Sequence, residues 1–180
     1  MMKTKNYVQF AFFMLLTWTM QAQCEIFKSE IKEVQEYMQE VSQLTDSLKP
    51  ASEIAAFDAQ FSKARSHAKQ VEFLMGKAVT AAYEATKMVA DAQYDSQNCG
   101  EADAISFTID AENHAIDARD FADEAYQNAK SASAAKNLGN LQYYMRKAQR
   151  IIRESQKSAD AAAYAAEIAH YSCSHVSESD

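Results

Sequence analysis

Cys99, Cys173 and the run Glu167-Ile-Ala-His170 just before the second cysteine are the residues of this chain best suited to chemistry. A glutamate and a histidine three apart share one helical face, the spacing used by carboxylate-bridged di-iron bundles. Such a centre needs a second Glu-x-x-His and two further carboxylates, and the chain has no second Glu-x-x-His. With Cys99 and Cys173 as thiolates, His170 and Glu167 would instead suit zinc by residue type. That use competes with a disulfide between the two cysteines, which is the favoured reading, so no metal and no cofactor is expected. Two buried thiols acting as small hydrophobes are the alternative. Nucleophile elbows and phosphate-cradling loops are absent, and only three glycines, Gly76, Gly100 and Gly139, are available to build one. The chain does not read as an enzyme.

The elements that hold these residues are legible from their periodicity. Phe57, Phe61, Ala64, Ala68, Val71, Met75, Ala78, Ala82, Ala85, Val89 and Ala92 alternate at steps of four and three, and the series continues through Ser96 to Cys99. Leu141 to Cys173 repeats the pattern, and Ala104 to Ala132 forms a third seam made almost wholly of alanine. This spacing turns one face of a helix towards its neighbours. No alternating stretch bounded by turn residues is present, so the fold class is all-α.

Punctuation places the boundaries. Pro50, Gly100 and Gly139 fall between the periodic runs. Helices are expected over about 25–48, 52–97, 101–134 and 140–173, with Ser52 as an N-cap. Short links make antiparallel neighbours, giving an elongated three- to four-helix bundle with coiled-coil-like seams. If the chain reverses at Pro50, the first helix covers only the lower half of the second. Cys24 then sits near the level of Gly76, about 35 Å below Cys99 at 1.5 Å per residue. In that arrangement Cys24 is a free thiol, an intermolecular bridge or a lipid attachment point. Ile105, Phe107, Ile109, Ile116, Phe121, Tyr144 and Ile151 are expected to supply the bulk that alanine lacks.

The first 23 residues read as a secretory signal peptide. Lys3 and Lys5 precede the apolar stretch from Val8 to Met20, and Gln21-Ala22-Gln23 closes it. The apolar core is shorter than a transmembrane span. Its removal takes away two lysines and no acid, moving the formal charge from −7 to −9. A mildly acidic net balance argues against nucleic acid as an expected partner, since that needs cations to neutralise phosphate, and gives little attraction to anionic lipid. Membrane contact is expected only through the signal segment or a lipid on Cys24. Residues 174–180 read as a disordered polar tail.

Two surfaces remain. Arg146, Arg150, Arg153 and Lys157 form a basic stripe, expected to pair across helices with Asp120 and Asp123. Tyr94, Tyr164 and Tyr171 are expected to gather near the cysteine end as a contact surface, because tyrosine buries area while keeping a polar tip. The sequence thus points to an exported, non-enzymatic module of the bacterial cell envelope, periplasmic, outer-membrane-associated or extracellular, meeting a protein partner or itself. The alternative is a carrier holding a small apolar ligand or a metal at the Cys99/Cys173 end.

Overall fold

The computed structural model describes the backbone of residues 3–99 and 102–174, and side chains over 22–97 and 102–173. Five helices follow one another: α1 (Lys3–Ser47), α2 (Lys49–Phe57), α3 (Phe61–Cys99), α4 (Ala102–Ser133) and α5 (Leu138–Ser174). They pack side by side as a four-helix bundle in which α1 and α2 together form one arm. That arm lies against α3 and α5, and α4 lies between the same two helices on the other side. The helices α3 and α5 are therefore diagonal and touch only slightly.

The reversal expected at Pro50 does not occur there. Leu48 keeps helical backbone angles (φ −82°, ψ −17°), and Pro50 sits in the first turn of α2. A proline is tolerated at that position because its missing N–H has no intrahelical partner to lose. Ser52 lies inside α2 with its hydroxyl donating to the Lys49 carbonyl at 2.9 Å, not at a helix start. The chain turns instead at Asp58-Ala59-Gln60, where the Asp58 carboxylate accepts from the Gln60 amide at 2.7 Å and pairs with Lys63 at 2.8 Å. Gln142 donates to the Asp58 carbonyl at 3.0 Å, tying this turn to α5.

At the same end Arg65 Nε donates to the Ser133 carbonyl at 2.9 Å, satisfying one of the carbonyls that a helix end leaves open. Ser133 also hydrogen-bonds Glu72. Asn137 caps α5 by accepting from the Asn140 amide at 2.9 Å. Asp103 in the first turn of α4 and Lys130 in its last complement the helix dipole.

The core is a single cluster along the axis. Its largest fully buried side chains include Phe27, Ile31, Val34, Met38, Val41 and Leu48 from the first arm, facing Met75, Leu141, Met145 and Ile152. In contrast, α4 buries only alanine, threonine and serine. The bulk expected from α4 is thus supplied mostly by α1; Ile109 points outward and Phe107 and Phe121 are half-buried. Phe57, expected at the head of a seam, is 65% exposed on α2, and the α3 seam begins in earnest at Ala64. Among the described residues no helix is long and apolar enough to cross a membrane.

Candidate functional site

The turn at residues 58–60, eight to ten residues later than Pro50, resets the whole register of α1. His170 Nδ1 lies 3.3 Å from the Lys28 carbonyl, a hydrogen bond when that nitrogen carries the proton. Gln156 faces Asp46 further down. The first arm therefore runs alongside α5 over its full height, and its upper end reaches the cysteine end of the bundle. Cys24 and Cys173 lie 3.7 Å apart. This corrects the separation of about 35 Å implied by a turn at Pro50. Cys173 is buried and Cys24 half-buried. The side chain of Cys99, the partner expected for Cys173, lies outside the described residues; its helix is diagonal to α5, whereas the helix of Cys24 is adjacent.

A carboxyl cluster sits one to two turns below. Glu30 is half-buried between α1 and α3, with one carboxyl oxygen shut off from solvent and without a hydrogen-bond partner. Burial, with the carboxyls of Asp95 and Asp91 beside it, pushes its pKa from 4.5 up to about 7. No feature of the sequence pattern announced this group, because its three acids come from two helices whose register depends on the turn.

Glu167 and His170 share a face of α5 as their spacing required; His170 Nδ1 faces the Lys28 carbonyl and its ring lies edge-on to Tyr171 at 6.0 Å. Among the described residues no three His, Cys, Asp or Glu side chains converge as a metal site would require. The tyrosines divide. Tyr164 and Tyr171, both exposed, are seven residues apart on one face of α5, while Tyr94, 72% exposed, stands on diagonal α3.

The outward stripe of α5 is more coherent than any of these. Tyr143, Arg146, Arg150, Arg153, Lys157, Tyr164 and Tyr171 are all exposed and recur at helical spacing. The expected ion pairs of Arg150 and Arg153 with Asp120 and Asp123 are not made. Asp120 pairs with its neighbour Arg119 at 2.8 Å, and Asp123 accepts from Gln127 at 3.4 Å. The link between α4 and α5 at this level is instead neutral, Ser155 Oγ donating to the Ala118 carbonyl at 3.1 Å. Arg146 lies over the Phe57 ring at 5.9 Å and Lys147 over Tyr143 at 5.0 Å, so this end of the stripe is braced by cation–π contacts.

Compared with known proteins, the chain matches no family model, no curated protein and no solved structure. Its function has to be read from its own side chains.

Proposed function

We propose that this chain is an exported, non-enzymatic helical-bundle protein, a structural or protein-interaction module of the bacterial cell envelope. Removal of residues 1–23 matures it, and a disulfide between Cys24 and Cys173 clasps its upper end. The observation that carries the reading is the division between inside and outside. The axis is filled by packed apolar and alanine side chains, while the organised chemistry, a basic and tyrosine-bearing stripe on α5, faces outward. The grooves that indent the surface near Gly76 and Tyr143 are open and bordered by exposed side chains. A surface of arginine and tyrosine is the composition favoured where proteins meet.

The clasp rests on the approach of Cys24 to Cys173 together with the signal-like N-terminus, since disulfides persist in oxidising compartments. Its formation removes two protons and two electrons from the thiols, taken up by an oxidised dithiol acceptor such as that of an oxidoreductase. Closing so long a loop stabilises the folded chain by about 4–5 kcal/mol on the chain-entropy estimate. Native mass spectrometry of the protein recovered from its host, purified without chelator, tests the reading. The expected species is the bare polypeptide lacking residues 1–23; a stoichiometric bound cofactor, metal or small ligand would overturn it.

A further inference from the structure

We propose that two copies of this chain pair side by side and parallel, the basic stripe of α5 in each lying against the acidic stripe of α4 in the other. The inference deepens the interaction-module reading, on which it rests, by naming a second copy as the partner. On α4 the exposed Asp110, Asp117, Asp120 and Glu124 recur at helical spacing along one outward line. Among the described residues this line has a single ion pair, Arg119 on Asp120. Arg150 and Arg153 on α5 have no ion pair among the described residues. A molecule of net charge −7 thus carries two stripes of opposite sign on adjacent helices, both pointing outward and neither neutralising the other.

Their heights match. Ser155 is level with Ala118, and the two helices run in opposite directions. Arg153 is therefore level with Asp120, and Arg150 with Asp123 and Glu124. A two-fold axis parallel to the helices preserves every level and lays α4 of one copy over α5 of the other. Higher up the same face, Tyr164 (66% exposed) then meets Ile109 (40% exposed), so an apolar contact falls in register with the charged ones. A two-fold axis across the helices would set α4 against α4, acid against acid, and is disfavoured by the same charges.

Sedimentation velocity of the intact protein in about 50 mM and about 500 mM salt tests the pairing. The expected result is a dimer at low salt that dissociates at high salt, because exposed ion pairs are screened. The double charge reversals R150E/R153E and D120R/E124R should each be monomeric at low salt with unchanged helical circular dichroism. Mixed in equal amounts, they should restore the dimer. A wild-type protein that is monomeric at low salt, or a dimer that survives both reversals, overturns the proposal. A monomer would leave the interaction-module reading standing, since that reading fails on a bound cofactor instead.

Discussion

Diagonally across the bundle from one another, α1 brings Phe27, Ile31, Val34, Met38 and Val41 to the axis, whereas α4 brings alanine, threonine and serine. The first arm contributes most of the transfer free energy, about 1.5–3 kcal/mol for each large buried side chain. Each alanine of α4 contributes far less, and what it contributes instead is proximity. Ser155 of α5 reaches the Ala118 carbonyl of α4 at 3.1 Å, a contact only small side chains on both helices permit. One corner of the bundle is held by burying area and the other by close approach of backbones.

The two corners should respond oppositely to substitution. Truncating the bulky side costs most. Phe27→Ala should destabilise the protein by about 3–5 kcal/mol and Met38→Ala by about 2–5 kcal/mol, measured by urea unfolding. A Phe27→Ala loss below about 1 kcal/mol would show that α1 does not carry the core. The alanine side should fail by overfilling. Ala118→Leu is expected to cost about 1–3 kcal/mol and to break the Ser155 contact. An unchanged unfolding midpoint in this variant would contradict the close approach.

A pH-dependent effect separates the upper end of α1 from α4. Glu30 has its pKa raised to about 7, so between its ordinary 4.5 and 7 the folded state holds more protons than the unfolded chain. The stability from this group is complete below about 4.5 and is lost as pH rises through 7. The charged groups that act on it are Asp95 and Asp91 on α3 and Glu33 on its own helix. Glu30→Gln should therefore leave stability near pH 4.5 unchanged and raise it at pH 8. The expected gain is about 1 kcal/mol once solvent screening is allowed for, or about 2–4 °C in melting temperature. An equal gain at both pH values would remove the carboxyl cluster from the account. Asp46 and Asp58, held below the usual carboxylate range by Lys49 and Lys63, act only at lower pH, where their contribution fades as they protonate.

The smallest effect concerns Gly76 on α3. A methyl there would meet the Tyr126 ring at 3.6 Å, ordinary van der Waals contact. Gly76→Ala should stabilise the helix by about 0.5–1 kcal/mol. A loss of stability would mean that the glycine serves a bend.

The seams were legible because helical periodicity is strong wherever burial is continuous, and Ala64 to Ala92 and Leu141 to Cys173 are buried where their spacing placed them. What failed was a single turn. Pro50 reads as a breaker, yet in the first turn of a helix it breaks nothing. The true reversal, Asp58-Ala59-Gln60, contains neither glycine nor proline; only the capacity of Asp58 to accept from a backbone amide two residues on marks it. That displacement slid α1 along the bundle and hid both the approach of Cys24 to Cys173 and the carboxyls around Glu30. It also made a helix that supplies one full corner of the core look like a partial cover.

The register of the first arm is the central claim, and the cysteines report on it directly. The protein, oxidised with oxidised glutathione and digested without reduction, can be mapped by mass spectrometry for disulfide-linked peptides. With Cys24 3.7 Å from Cys173, the proposed clasp is expected to yield a peptide containing Cys24 joined to one containing Cys173. A Cys99–Cys173 linkage with Cys24 alkylated would contradict it.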